Sequence, residues 1–347
     1  MLNPKTIEDA DQTELEALFN AYAPVDAGIV DDKHASALDS IDLIDDTASS
    51  WTIRDAELDS MSSNLSTEIN NRLKLLNDAY PFTLEGSSLK LKLDSKNIFY
   101  IFCLILSNSK LKAKKGEEAH NQKMARLFER VTLKIIRNTL GEFSNSYHFG
   151  FPRDDNSNIK IAMQALKSQL KLTHEMNVNL LEYNVDDLTY QKDLGIDQII
   201  WIKRPDNRSH SHLFLLGQCA CGQDYKQKYN DIDIKKLESY FRPFTFVSPI
   251  KMMSIPFILT DREMQRVSAS AGWIFDRISL SSLYNKFDSL QQEFNSELVE
   301  LISNSTPHGE KFKASSFCET FTNETQQMNT QTLSELPSVI EDPTKKT

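Results

Sequence analysis

Apolar residues recur at helical spacing in several stretches of the chain. Leu65, Ile69, Leu73 and Leu76 lie three or four residues apart, which predicts an amphipathic helix that ends near Pro81. The run NIFYIFCLILSN is wholly apolar and predicts a buried core helix, with a buried strand as the alternative. SLQQEFNSELVELISN predicts a final amphipathic helix.

Two other stretches carry helix-breaking residues that limit the prediction. TDREMQRVSASAGWIFDRISLSSLYN is typical of a helix that is broken by Gly272. FVSPIKMMSIPFIL contains Pro249 and Pro256 and therefore fits a buried strand or loop better than a helix.

A β-hairpin is predicted between residues 193 and 229. IDQIIWI is β-branched and aromatic, RPDNRSHSH is polar and rich in turn formers, and LFLLGQCAC is a second apolar run. Side chains alternate along the first strand, so Asp197 shares a face with Ile199 and Trp201. Asp197 is therefore expected among residues that favour burial.

A carboxylate in such a position needs a compensating hydrogen-bond partner or a metal ion. If the two strands pair directly, Asp197 approaches Gln218 on the second strand. A carboxylate oxygen beside an amide oxygen suits a hard cation such as Mg²⁺. The alternative is an aspartate that caps a turn and a glutamine that bonds to backbone.

Three motifs, in this order, resemble the PD-(D/E)xK superfamily of restriction-endonuclease-like nucleases. KMARLFERVTLKIIRNTLG carries Glu129, GIDQIIWI carries Asp197, and LFLLGQCACG carries Gln218. The chain looks most similar to the Mrr-like branch and to bacterial defence nucleases. The resemblance covers residues 123 to 240, roughly a third of the chain.

The third motif departs from the family pattern, because Ala220 stands where the family has a lysine. Lys228, on what is predicted to be the next helix, could supply the ammonium group from another backbone position. Lys226 is the second choice.

The resemblance implies an α/β fold with a restriction-endonuclease-like mixed sheet flanked by helices and extended by helical N- and C-terminal segments. It also implies a metal-dependent endonuclease that hydrolyses DNA phosphodiester bonds. Asp197, Glu129 and Gln218 would bind Mg²⁺ or Mn²⁺, and Lys228 would orient the attacking water. Because Gln218 replaces a carboxylate, weak metal binding and a preference for Mn²⁺ are expected.

The same resemblance suggests the biological setting. Nucleases of this type act as regulated effectors in bacterial defence and are commonly encoded beside an ATPase sensor, often of the structural-maintenance type. Protein partners from such an operon are therefore expected, and a homo-oligomer is compatible with this interpretation. The alternative is an inactive nuclease-fold subunit that binds nucleic acid or scaffolds a complex, which Ala220 favours.

Charge is concentrated at the N-terminus. Residues 1–50 contain 12 Asp or Glu and 2 Lys, which accounts for the net charge of −10 of the whole chain. The remainder is neutral, so the acidic balance does not argue against nucleic-acid binding. The acidic segment could dock a partner, imitate nucleic-acid charge or be a solvated tail.

The predicted organisation has four parts. Residues 1–50 form the acidic segment, 51–115 an α/β lead-in, 116–300 the nuclease domain and 301–347 a polar, disordered tail. No apolar run is long enough to span a bilayer, and MLNPKTIEDADQTE lacks the features of a signal peptide, so a cytoplasmic location without membrane contact is expected. The four cysteines are predicted to be free thiols.

Overall fold

A computed structural model describes residues 4–20, 22–25, 48–109, 115–150, 153, 159–169, 195–206, 212–234 and 248–305. The predicted tail, except for its first residues, lies outside this part of the chain. The α-helices are α1 Pro4–Asn20, α2 Ala48–Leu76, α3 Ile98–Asn108, α4 Lys115–Thr139, α5 Ile159–Gln169, α6 Asp261–Ala271, α7 Arg277–Tyr284 and α8 Asp288–Ser305.

The strands form two sheets within the described residues. The strands are β1 Tyr22–Pro24, β2 Phe82–Glu85, β3 Ser88–Leu91, β4 Ser144–His148, β5 Gln198–Ile202, β6 Leu213–Cys219, β7 Ile250–Ser254 and β8 Trp273–Phe275. The small sheet is antiparallel with the order β1-β3-β2. The larger sheet has the order β4-β5-β6-β7-β8, and the protein is therefore of the mixed α/β class.

The larger sheet mixes both strand directions. β4, β5 and β6 pair in antiparallel fashion, whereas β7 runs parallel to β6 and β8 parallel to β7. The predicted hairpin is confirmed, with Gln198 opposite Gly217 and Ile202 opposite Leu213. This register places Asp197 at the entry to β5, beside the end of β6.

Helix α3 is the centre of the hydrophobic core. Its residues from Ile98 to Ser107 are all buried, which confirms the prediction of a core helix. The ring of Phe99 stacks on Phe128 of α4 and on Tyr284 of α7, with centroids 6.4 and 4.9 Å apart. Because neighbours cover it on every side, this helix needs no polar face.

The helices predicted from periodicity at residues 65–76 and 289–304 are confirmed as parts of α2 and α8. The predicted break at Gly272 is confirmed, because α6 ends at Ala271, but the strand β8 between α6 and α7 was not predicted. Gly272 has a φ of +79°, and a Cβ on it would lie 2.0 Å from the carbonyl oxygen of Lys251. Only glycine can make this close turn, which feeds β8 into the sheet beside β7.

Helix α1, from the predicted acidic segment, is anchored in the interior by charged residues. Asp11 and Glu14 meet Arg72 of α2 and Arg277 of α7, a group that we call the ionic cluster. Arg277 Nη2 lies 2.7 Å from Asp11 Oδ2, and Arg72 Nη1 lies 2.9 Å from Glu14 Oε1. Both arginine side chains are fully buried.

One hydrophobic cluster joins the N-terminal helices to the larger sheet. It includes Leu18 of α1, Leu89 of β3, Phe128 of α4, Leu215 of β6 and Leu298 of α8. Residues on both sides of position 115 thus share a core. No helix among the described residues is long and apolar enough to cross a membrane.

Candidate active site

Asp197 lies just before β5 and is fixed by its own backbone. Its N–H donates to the carbonyl of Gly217 at 2.8 Å. Its carbonyl accepts from the N–H groups of Phe149 and Gly150, at 2.8 and 2.9 Å. The residue is therefore tied to β6 on one side and to the segment after β4 on the other.

The side chain of Asp197 is oriented by β6. Its Oδ2 accepts a hydrogen bond of 2.7 Å from the backbone N–H of Cys219. A backbone donor of this kind stabilises the charged form of a carboxylate and fixes its direction. The second oxygen, Oδ1, is directed toward Gly150.

Glu129 reaches the same place from α4. Its Oε2 lies 3.0 Å from Nε2 of His148, the last residue of β4. The oxygen of an ionised carboxylate only accepts, so Nε2 of His148 is the donor. The side chains of Glu129 and His148 are 18% and 17% exposed, which leaves both accessible to a small ligand.

Gly150 separates the two carboxylates. A Cβ on this residue would lie 3.1 Å from Oδ1 of Asp197 and 3.1 Å from Oε2 of Glu129. The two oxygens therefore cannot be farther apart than twice 3.1 Å. We call Asp197 and Glu129 the acidic pair, and the space that a side chain at Gly150 would fill is part of the site.

Gln198 holds α4, the helix that carries Glu129, against β5. Its buried side chain donates through Nε2 to the carbonyl of Glu129 and to Oγ1 of Thr132, both at 2.7 Å. β5 thus fixes the backbone of α4 at Glu129. Together with packing, the hydrogen bonds of Gln198 set the distance between Asp197 and Glu129.

Cys219 and Cys221 lie behind the acidic pair as free, buried thiols. Burial raises the pKa of Cys219 well above its usual value, and the negative charges of Asp197 and Glu129 raise it further. Burial likewise raises the pKa of Cys221. Both thiols therefore stay protonated at neutral pH, and the prediction of free thiols is confirmed for the described cysteines, Cys103 included.

Gln218 contacts an acid that the sequence did not single out. Its Nε2 donates to Oδ2 of Asp231 at 3.0 Å. The amide nitrogen thus faces a carboxylate. The role of Gln218 as a metal ligand stays a prediction.

Lys228 lies on the 3₁₀ helix Tyr225–Asn230, which we call the lysine helix. Its charge lowers the pKa of the Cys221 thiol, the same thiol whose pKa the acidic pair raises. The lysine helix contacts the same end of β6 as Asp197, because Asp231, which follows it, accepts the hydrogen bond from Gln218. Lys226, the second choice, is exposed and lies 3.5 Å from Glu263, on a different side-chain network.

The acidic pair offers the oxygen donors that Mg²⁺ and Mn²⁺ prefer. Magnesium is usually bound through one or two carboxylates, with water and substrate phosphate oxygens completing its shell. Across the part of the chain that the structure describes, no group of three or more His, Cys, Asp or Glu residues is arranged to hold a metal. The acidic pair nevertheless fits an ion of this kind, because two carboxylates suffice when water and substrate supply the other ligands.

Several site residues were missed from the sequence. His148, Gly150 and Asp231 reach the site through contacts that bridge separate elements, so no local pattern marks them. Gln198 lies in the predicted strand IDQIIWI, but the sequence does not predict its contact with α4. The sequence signal for Gln198 is its polar side chain within the otherwise apolar strand QIIWI.

The assignment of the site rests on the motifs and on these distances. Comparison with known proteins adds nothing to it: no family model, no curated protein and no solved structure matches the chain.

Proposed function

We propose that this protein is a metal-dependent nuclease that hydrolyses DNA phosphodiester bonds at the acidic pair. The observation that carries the proposal is the approach of Asp197 and Glu129 around Gly150. Each carboxylate is oriented by a donor from another element, as a preorganised ion site requires.

The arrangement of elements supports the proposal. A helix, α4, carries Glu129, and the second strand of an antiparallel set carries Asp197 at its entry. The next strand, β6, carries Gln218 and has β7 parallel beside it. We infer a restriction-endonuclease-like core from this order, with α1, α2 and α8 as additions.

The acidic pair would hold Mg²⁺ or Mn²⁺. When bound, such an ion activates a water molecule and neutralises charge on the phosphate that is attacked. The chain itself would supply the orientation: the N–H of Cys219 directs the carboxylate of Asp197, and His148 directs that of Glu129. Gly150 has no side chain and therefore lets the two carboxylates approach each other.

Lys228 would provide the positive charge that Ala220 cannot. An ammonium group near the attacking water orients it and stabilises charge that develops at the phosphate. The attachment of the lysine helix to Gln218 of β6, through Asp231, supports this role.

Replacing Asp197 with alanine tests the proposal. We expect the unchanged protein to nick supercoiled plasmid with Mg²⁺ or Mn²⁺ and to lose this activity with EDTA. Asp197→Ala removes one carboxylate of the pair, and a loss of at least about 100-fold in rate is expected. The measurement is the initial rate of nicking.

Asp206→Asn is the matched control, because Asp206 is an acid of the same hairpin that pairs with Arg204 at the surface. Its rate should stay within about twofold of the unchanged protein, as for surface substitutions in general. Equal nicking by Asp197→Ala and the unchanged protein contradicts the proposal.

A second candidate function is nucleic-acid binding without cleavage. It is favoured by Ala220 at the lysine position and by the contact of Gln218 with Asp231. This candidate predicts that labelled DNA is retarded in a gel equally with EDTA and with Mg²⁺, and that no product forms. Cleavage that depends on Asp197 rules it out.

The biological setting is likewise a proposal. We infer an effector of bacterial defence whose cleavage is controlled by partner proteins, among them an ATPase sensor. Co-purification with the products of neighbouring genes, followed by the same plasmid assay, tests whether such partners raise the rate.

A further inference from the structure

Gln218 occupies the position at which the resemblance expects a metal ligand, yet its amide nitrogen has another partner. Nε2 donates to Oδ2 of Asp231 at 3.0 Å, and Gln218 is 6% exposed. A hydrogen bond from a buried amide to a carboxylate is stronger than one between neutral groups. It therefore fixes the direction of both side chains.

Asp231 closes the lysine helix. Its backbone N–H donates to the carbonyl of Lys228 at 3.1 Å. Asp231 also packs closely against Gly195. A Cβ on Gly195 would lie 3.0 Å from the carbonyl oxygen of Asp231 and 3.3 Å from its Cβ. Asp231 is thus held between the start of the Asp197 motif and Gln218 of β6.

The other end of the lysine helix is fixed in a second apolar cluster. Tyr225 is buried, and its ring stacks on Phe257 with the centroids 4.4 Å apart. Its backbone N–H donates to the carbonyl of Gly222 at 3.0 Å. Lys228 lies between two anchored ends.

We propose that Gln218 and Asp231 are positioning residues: their hydrogen bond holds the lysine helix, and with it Lys228, against the end of β6 that also bonds Asp197. This inference rests on the proposed nuclease function. It replaces the ligand role predicted for Gln218 and explains how a chain with Ala220 in the third motif can place a lysine.

The two roles of Gln218 predict opposite effects of a glutamate. As a metal ligand, a carboxylate at position 218 adds charge to the cation site and strengthens binding. As a positioning residue, it faces the carboxylate of Asp231 at hydrogen-bond distance, and the like charges repel. The lysine helix would then move away.

Exchanging the two groups restores the bond. In the double variant Gln218→Glu with Asp231→Asn, the amide donates from position 231 and the carboxylate accepts at position 218. The net charge of the pair is the same as before. The hydrogen bond forms in the opposite direction, so the lysine helix should return to its place.

The first test is plasmid nicking by these variants. We expect Gln218→Glu to lower the rate roughly tenfold and the double variant to recover to within about threefold, as coupled groups do in a double-mutant cycle. Gln227→Glu is the control, because it adds the same charge to an exposed position of the lysine helix. Its rate should stay within about twofold.

The second test does not depend on activity. Hydrogen exchange at the amide of Asp231 reports directly on the closure of the lysine helix. We expect exchange about tenfold faster in Gln218→Glu and restored in the double variant. If Gln218→Glu does not fold, Asp231→Ala removes the acceptor and should accelerate exchange in the segment 225–230.

The outcomes separate the two proposals. An unchanged protein that cleaves nothing under any condition contradicts the nuclease function. Hydrogen exchange at Asp231 still tests the Gln218–Asp231 hydrogen bond in that case. A Gln218→Glu protein that cleaves as fast as or faster than the unchanged protein overturns the positioning role. So does a double variant that recovers neither rate nor protection.

Discussion

Three backbone donors and one imidazole fix the acids of the site. The N–H groups of Phe149, Gly150 and Cys219 donate to Asp197, whose own N–H donates to Gly217. The imidazole of His148 bonds Glu129. The sequence predicted the acids, because their residue types and order resemble a nuclease family. It could not predict His148 or Gly150, which reach the site only after β4 has paired with β5.

Gly150 gives a prediction at this scale. A methyl group there would lie 3.1 Å from one oxygen of each acid, tighter than an ordinary contact. We expect Gly150→Ala to weaken Mn²⁺ binding roughly tenfold, because the added methyl group occupies the space between the carboxylates. The φ of Gly150 is not positive, so the backbone conformation is compatible with alanine and any change in melting temperature comes from these contacts.

Gly86→Ala provides the opposite pattern. This residue has a φ of +60° at the turn between β2 and β3, and a Cβ added to it would have no neighbour within 4 Å. Its substitution should lower the melting temperature and leave Mn²⁺ binding unaltered. Equal Mn²⁺ affinity in Gly150→Ala and the unchanged protein would show that the ion does not sit between the acids.

At the scale of elements, length and apolar content decided what the sequence could predict. The long amphipathic helices α2 and α8 and the apolar hairpin of β5 and β6 are confirmed. The strand β8 has only three residues, and β4 is as long as β5 but its sequence, SNSYH, is polar, so no apolar pattern marks either strand. β8 exists because Gly272 turns the chain into the sheet beside Lys251, a contact that no local pattern contains.

Both faces of β5 are buried, so the alternation of its side chains does not distinguish a core face from a solvent face. Ile199 and Ile200 point to opposite faces and are each fully buried. Helix α4 covers one face, as the bonds of Gln198 to Glu129 and Thr132 show. Alternation therefore located the strand but could not say which face Asp197 would share with the site.

At the scale of the whole molecule, the acidic N-terminus serves packing as well as charge. The sequence left its role open between docking, charge imitation and a solvated tail. In the structure, Asp11 and Glu14 of α1 belong to the ionic cluster with Arg72 and Arg277. Asp11 lies 61 and 266 residues from these arginines in sequence, so spacing could not reveal the contacts.

The ionic cluster predicts how stability depends on pH. Burial alone would raise the pKa of Asp11, but the charges of Arg277 and Arg72 hold it below its usual value. The ionised form is thus favoured by folding, and its contribution is present above the unfolded pKa and lost as pH falls through the folded one. Asp11→Asn should lower the free energy of unfolding by about 2 kcal/mol at pH 7.

Denaturant unfolding between pH 7 and pH 2 measures this difference. It should shrink as pH falls below the unfolded pKa of Asp11, because protons then bind the unfolded carboxyl more readily than the folded one. Asp59→Asn is the control, because Asp59 is an exposed acid of α2, and it should have little effect at any pH. A difference that stays constant down to pH 2 would mean that the charge of Asp11 does not contribute.

The proposed nuclease site requires two carboxylates that bind one ion, and Mn²⁺ titration followed by electron paramagnetic resonance measures this binding directly. The unchanged protein should bind Mn²⁺, and Asp197→Asn and Glu129→Gln should each weaken binding at least about tenfold, because each removes one charged oxygen donor. The double variant should bind no more than background. Undiminished binding by Asp197→Asn, or by Glu129→Gln, would contradict the shared site.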